Sequence, residues 1–121
     1  MTQTLLRSVL FNAGALAVVL TISHGLLKWV SQQPHADLAD LLWRQGAVVV
    51  AALALYGGVF VWYLHALRSF DMAVLFPIYT GLTLVLVALV GVLLFGERLS
   101  AAQAAGIVLI VVGVFLLTRG R

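Results

Sequence analysis

The stretch MAVLFPIYTGLTLVLVALVGVLLF, from Met72 to Phe95, decides the fold class because it contains no charged residue over its whole length. An α-helix rises about 1.5 Å per residue, so this stretch is long enough to cross the roughly 30 Å hydrocarbon layer of a bilayer. Its hydrophobicity is continuous and does not alternate from residue to residue, which argues against a strand of a membrane barrel. We therefore predict a transmembrane helix here.

Three further apolar blocks of similar length lie between charged residues, and they run from Val9 to Leu27, from Gly46 to Leu64 and from Ala101 to Thr118. The expected fold class is an all-α integral membrane protein with one four-helix transmembrane domain over residues 1–121. Its helices are expected at about 5–30, 43–67, 72–95 and 101–118. The first block lacks a small-residue cleavage motif at its end, so we interpret it as a helix and not as a signal peptide.

The composition agrees with a lipid environment. Hydrophobic residues make up 64% of the chain and charged residues 9%, and the mean hydropathy is +1.16. Soluble domains usually contain about 25% charged residues, so a soluble enzyme, a soluble nucleic-acid binder and a disordered tail are excluded. The net charge of +3 comes from seven scattered lysines and arginines, which predicts no nucleic-acid partner. The absence of cysteine excludes disulfides and thiolate metal sites.

The longest polar connection covers residues 31–42. Leu38, Leu41 and Leu42 recur at helical spacing beside Trp43, which fits a short helix in the headgroup layer and an ordinary connecting loop equally well. The positive charges are nearly balanced between the two sides of the membrane, a weak bias that favours cytoplasmic termini and permits both orientations. The side of the termini carries Arg7, Arg68, Arg119 and Arg121, and the other side carries Lys28, Arg44 and Arg98.

Stripes of small residues predict where the helices pack, because helices in lipid associate through close contact of small side chains. One stripe is expected to pack within the subunit and the other between subunits. The stripes contain Gly81, Ala88 and Gly91 on the third span, and Ala102, Gly106 and Gly113 on the fourth. Pro77 removes a backbone hydrogen bond inside the third span, and we interpret it as a hinge, with a simple bend as the alternative.

None of the four blocks contains Asp or Glu at mid-depth. Proton-coupled export of cations needs a buried carboxylate that exchanges its proton for the substrate. The sequence also lacks a phosphate-binding loop, a nucleophile elbow, a metal-spaced histidine pair and a carboxylate pair. We therefore predict that the protein is not an enzyme and uses neither a cofactor nor a metal.

The polar side chains at the end of the first span favour an anionic ligand. Thr21, His24 and Lys28 are three and four residues apart, so they share one helix face. Their charge suits a phosphate headgroup near the interface, with Arg44 as a candidate second cation. The structural alternative has Lys28 reaching the surface and His24 bonded to a neighbouring helix. Further candidate substrate-binding residues are Asn12, Tyr79 and Thr80.

The last two blocks contain the motif FGERLS at residues 95–100, followed by QAAGIVLIVVGVFLL at residues 103–117. With these motifs, residues 67–118 resemble the last two helices of the small multidrug resistance family, part of the drug/metabolite transporter superfamily. The stretch HGLLKWVS at residues 24–31 resembles the end of the family's first helix. The resemblance covers essentially the whole chain, and it implies an antiparallel dimer with a cavity between the subunits.

The departures from the family pattern resemble one branch of it. The essential glutamate of the family's drug exporters falls at Leu20, and their third-helix tryptophan falls at Tyr79. Pro77 resembles the proline of the polyprenyl-phosphate-linked sugar flippases, such as the aminoarabinose flippase subunits, although Phe76 replaces their tyrosine. The resemblance therefore implies a flippase in the bacterial inner membrane, whose partners are a polyprenyl phosphate or its glycoside and a second identical chain.

Two alternatives stay open. The first is a small cation or drug exporter of the same fold, in which His24 would titrate in place of the missing glutamate. The second is one subunit of a heterodimeric transporter that is inactive alone. A neighbouring gene for another four-helix chain would favour the second alternative.

Overall fold

The computed structural model describes residues 3–119. In chain order its helices are α1 (Gln3–Ser31), α2 (Leu38–Arg44), α3 (Gly46–Ala66), α4 (Met72–Phe95) and α5 (Ala101–Arg119). Four of them, α1, α3, α4 and α5, are long and apolar enough to cross a membrane. The prediction of an all-α protein with four spans is thereby confirmed. Arg121, which we counted among the charges near the termini, lies outside the described residues.

Helix α1 lies between α3 and α4 and packs against both, whereas α5 packs against α4. The end of α1 lies beside the end of α4, because Lys28 forms an ion pair with Glu97 just after α4. Helices α1 and α4 therefore run in the same direction, and α3 and α5 run in the opposite one. Helix α1 contributes residues to a cavity with α4 and to a cavity with both α3 and α4.

The core lies where α1, α3 and α4 meet. Leu16, Leu75 and Ile78 are fully buried there. The hydroxyl of Ser23 donates a hydrogen bond of 2.9 Å to the carbonyl of Ala52, which joins α1 to α3. Since lipid provides no hydrophobic driving force, close packing and such interhelical hydrogen bonds stabilise the bundle.

Residues 38–44 form the short helix α2, which is the first of our two alternatives for this connection. The carboxylate of Asp37 accepts the backbone N–H of Asp40 at 2.8 Å, and the carboxylate of Asp40 accepts the N–H of Ala36 at 3.0 Å. Arg44 pairs with Asp40 at 2.9 Å. The Ala36 N–H and, to a smaller extent, the Arg44 guanidinium lower the pKa of the Asp40 carboxyl. Trp43 is 89% exposed, as suits a side chain in the headgroup layer.

We expected residues 43–45 at the start of the second span. In the structure Trp43 and Arg44 end α2, and Gln45 separates α2 from α3. The reason is local, because the Asp37 cap begins a separate helix and Gln45 leaves the helical conformation at φ −109°. Helix α4 begins at Met72 and ends at Phe95, and it continues through Pro77. The role of Pro77 as a hinge stays a prediction.

Helix α5 is the peripheral span. A Cβ at Gly81 would overlap the side chain of Val114, so this glycine permits the close contact between α4 and α5. By contrast, a Cβ at Gly106 or Gly113 would meet nothing within 4 Å. No described residue of α5 is buried in the chain, and Ala102 is exposed. Most of the surface of α5 is therefore available to lipid or to another protein.

Candidate functional site

A cavity of about 500 Å³ lies between α1, α3 and α4, near the middle of the spans. We call it the aromatic chamber, since four of its lining residues are aromatic. It is lined by Leu20, Tyr56, Gly57, Val59, Phe60, Tyr63 and Tyr79. The ring centroids of Tyr63 and Tyr79 are 5.3 Å apart. A cavity with aromatic walls and a few hydroxyl groups is typical of sites for lipophilic organic ligands.

The wall of the aromatic chamber contains no acidic residue among those that the structure describes. Leu20 and Tyr79, at which the sequence departs from the drug-exporter pattern, both line this chamber. No carboxylate of the chamber wall is therefore available to exchange a proton for a bound cation.

A second cavity of about 90 Å³ lies between the ends of α1 and α4, and we call it the interfacial cavity. Thr21, His24 and Lys28 line it from one face of α1, the face that their spacing indicated. Gly91 and Glu97 line it from α4 and the following turn. This volume holds a few water molecules or one small polar group. It is suited to a headgroup and is too small for a whole drug molecule.

Glu97 is the site residue that the sequence did not reveal. Its Oε1 lies 3.0 Å from Nζ of Lys28, and the two side chains are 49% and 44% exposed. In the sequence Glu97 stands out only as part of the FGERLS motif at residues 95–100. The signal in the sequence was the glycine before it, because a glycine at a helix end commonly adopts a left-handed conformation and reverses the chain. In the structure Gly96 has φ +67°, and the chain turns back towards Gly91.

The local structure of the α4–α5 turn places the Glu97 side chain. The N–H of Glu97 donates a hydrogen bond of 3.0 Å to the carbonyl of Gly91. A Cβ at position 91 would overlap the Glu97 carboxylate. Gly91 thus accommodates Glu97, although we had expected it to pack against a neighbouring helix. Ala88, from the same stripe, is partly buried.

His24 joins the two cavities. It lines the interfacial cavity, and its Nδ1 lies 3.0 Å from the hydroxyl of Tyr56, which lines the aromatic chamber. The two rings meet edge to face, with centroids 5.5 Å apart and planes at 85°. Polar groups thus extend from Lys28 through His24 and Tyr56 to the chamber, and we call this series the polar path. Its two residues on α1, Lys28 and His24, are four residues apart, a rise of about 6 Å.

The other predicted ligands lie apart from this path. Arg44 pairs with Asp40 on α2 and is not among the residues that line either cavity. The side-chain oxygen of Asn12 accepts a hydrogen bond of 2.8 Å from Nε1 of Trp62, which joins α1 to α3. Thr80 lines an apolar groove of about 310 Å³ between α4 and α5, together with Pro77. The structure therefore brings Thr21, His24 and Lys28 together, and Tyr79 contributes to the chamber.

In a comparison with known proteins, residues 3–119 match the model of the EamA-like transporter family. The chain is 32% identical over 101 residues to the uncharacterized protein y4nH of Sinorhizobium fredii, covering 82% of this chain and 85% of that protein. It is 29% identical over 79 residues to the multidrug resistance protein EbrB of Bacillus atrophaeus, covering 65% and 64% of the two chains. A multidrug transporter of Pseudomonas aeruginosa is 39% identical over 51 residues, or 42% and 46% of the two chains. No solved structure matches the chain.

Proposed function

The chain belongs to the EamA-like transporter family, and from this premise we propose that it flips a polyprenyl-phosphate-linked sugar across a bacterial inner membrane. Family membership and four apolar spans make it a multi-pass membrane transporter. The observation that carries the finer proposal is the polar path. It joins a cavity with a cationic side chain to a chamber whose wall has no acidic residue.

The interfacial cavity suits the phosphate of such a lipid. Lys28 provides a positive charge with three donors, and His24 adds a ring nitrogen on the same helix face. The hydroxyl of Thr21 donates its hydrogen to the carbonyl of Ala17 at 2.7 Å, so Thr21 lines the cavity without a donor for the phosphate. The cavity lies at the end of α1, where a lipid headgroup is found while the tail stays in the bilayer. Its volume of about 90 Å³ matches one small polar group.

The aromatic chamber suits the sugar. Tyr56, Tyr63 and Tyr79 present ring faces against which the apolar face of a sugar packs, and hydroxyls that exchange hydrogen bonds with it. The chamber is open rather than enclosed, so an isoprenoid tail could remain in the surrounding lipid. Because none of the described residues that line the chamber is acidic, its wall does not repel a phosphate that passes beside it.

The transporting unit in this proposal is an antiparallel homodimer, with a heterodimer as the alternative. One chain leaves the chamber open and buries no described residue of α5. A second copy would close the chamber, and Gly106, where a Cβ would meet nothing within 4 Å, offers it an open place on α5.

A lipophilic organic cation is the second candidate substrate. Four aromatic rings surround the chamber, and the faces of such rings attract cations. Two of the relatives named above are multidrug transporters by name. In that case Glu97, which pairs with Lys28 at the far end of the polar path, would provide a carboxylate for charge balance.

Reconstitution into liposomes tests the proposed function through the charge of Lys28. We expect Lys28→Met to abolish the flipping of a fluorescent polyprenyl-phosphate glycoside while the protein still assembles. Arg44→Met is the matched control, because Arg44 lines neither cavity, and it should flip at the normal rate. Normal flipping by Lys28→Met would contradict the assignment. Transport of organic cations without any movement of the lipid would favour the second candidate.

A further inference from the structure

The carboxylate of Glu97 occupies the cationic end of the interfacial cavity. Its Oε1 lies 3.0 Å from Nζ of Lys28, and both residues line the cavity. The flipping function proposed above assigns Lys28 to the substrate's phosphate and gives Glu97 no part. An acidic side chain therefore lies in the cavity to which we assign the anionic phosphate, and its role there requires an explanation.

The turn after α4 holds this carboxylate in a defined position. Gly96 takes a left-handed conformation at φ +67°, and the N–H of Glu97 then bonds to the carbonyl of Gly91. The absence of a side chain at Gly91 leaves the space that the carboxylate fills. The position of Glu97 thus depends on Gly91 in the last part of α4, on Gly96 in the turn and on Lys28.

The ion pair is of a kind that a ligand can replace. Both side chains are about half exposed, and pairs of this kind contribute little to stability. A phosphate group offers more acceptor oxygens to an ammonium group than a carboxylate does. A lipid phosphate in the interfacial cavity would therefore compete with Glu97 for the same cation.

We propose that Glu97 is a built-in competitor of the substrate, whose carboxylate holds the phosphate position on Lys28 and is displaced when the headgroup binds. This inference rests on the proposed function. The Lys28–Glu97 pair also ties the α4–α5 turn to the end of α1. Displacement of Glu97 releases that tie, so headgroup binding is coupled to movement of the turn and of the peripheral helix α5.

The test measures binding of farnesyl phosphate to the full-length protein in phosphatidylcholine nanodiscs. Glu97→Gln frees Lys28 and should raise the affinity by up to about fivefold, the upper limit expected for the loss of a half-exposed ion pair. Asp40→Asn is the matched control, because it removes the acid of the other ion pair, on α2, and should leave the affinity unchanged.

A second variant should also free Lys28 from its ion pair, without a change at Glu97 itself. Gly91→Ala places a methyl group against Oε2 of the carboxylate, 3.9 Å from the Oε1 position beside Lys28, so it should displace Glu97 while leaving Lys28 accessible, and raise the affinity in the same direction. Gly58→Ala is its control, because Gly58 lies outside the interfacial cavity and a Cβ there would meet nothing within 4 Å. In a Lys28→Met background Glu97→Gln should bring no gain, because the two effects act through one cation.

The outcomes separate the inference from the function on which it rests. Wild-type protein that binds farnesyl phosphate, with unchanged affinity in both Glu97→Gln and Gly91→Ala, overturns the inference and leaves the proposed function standing. Absence of binding in the wild type and in Glu97→Gln contradicts both. Binding of tetraphenylphosphonium that is lost in Glu97→Gln would make Glu97 a cation ligand and would also overturn the inference.

Discussion

Single side chains form the polar path, and the hydrogen bond between Tyr56 and His24 is the link that joins its two cavities. Tyr56→Phe removes the hydroxyl and keeps the ring. A hydrogen bond contributes about 0.5–1.5 kcal/mol, so we expect transport in liposomes to slow about threefold to tenfold. Trp62→Phe is the control, because it removes another side-chain hydrogen bond between α1 and α3, from Trp62 to Asn12, and Trp62 lines neither cavity. Equal effects of the two variants would contradict the role of the link.

The sequence predicted which site residues lie together only where those residues belong to one helix. The spacing of Thr21, His24 and Lys28 predicted their shared face, and all three line one cavity. Glu97 was missed because its contact with Lys28 joins two residues far apart in the chain. Periodicity reports which residues share a helix face and cannot report which turn lies opposite that face.

At the scale of elements, the contact between α4 and α5 depends on Gly81. Gly81→Ala would overlap Val114, and overpacking of this kind costs about 1–3 kcal/mol. We expect a lower free energy of unfolding in mild detergent, measured by denaturant titration. Gly113→Ala is the matched control on the facing helix, because a Cβ there meets nothing within 4 Å. A loss of stability in Gly113→Ala as large as in Gly81→Ala would contradict this assignment.

Helix α2 should respond to acid. The pKa of Asp40 is lowered in the folded protein, mainly by the Ala36 N–H and also by Arg44. A carboxyl with a lowered pKa stabilises the folded form above its unfolded value of about 3.9, and this stabilisation is lost as pH falls through the folded value. We expect the protection of the α2 amides from hydrogen exchange, relative to their intrinsic rates, to fall in that acidic range. Asp40→Asn should show fast exchange already at neutral pH, and slow exchange there would contradict the account.

The spans themselves were predictable, because charges and turn residues separate apolar runs too long for a soluble core. Helix α4, between Asp71 and Gly96, is the clearest case. Helix α2 was one of two alternatives, because seven residues carry little periodic signal. The order of the helices in space could not be read from the chain. The position of α1 between α3 and α4 follows from side-chain packing between distant segments.

At the scale of the whole molecule, the account requires a second subunit on α5. Gly106→Leu should weaken the dimer, because it fills a surface that the chain itself leaves open. Gly58→Leu is the matched control, an equally open glycine on α3 that lines neither cavity. Subunit counting by single-molecule photobleaching measures the effect. A normal dimer in Gly106→Leu would place the interface elsewhere.

The central claim joins a dimer to a phosphate-bearing lipid, and native mass spectrometry tests both at once. The protein is released gently from its own membrane, so that subunit number and bound lipid are read from one spectrum. The account predicts a dimer that retains a polyprenyl phosphate or its glycoside, and the mass of the retained lipid identifies the sugar. A dimer that retains no such lipid and takes up organic cations instead would contradict it.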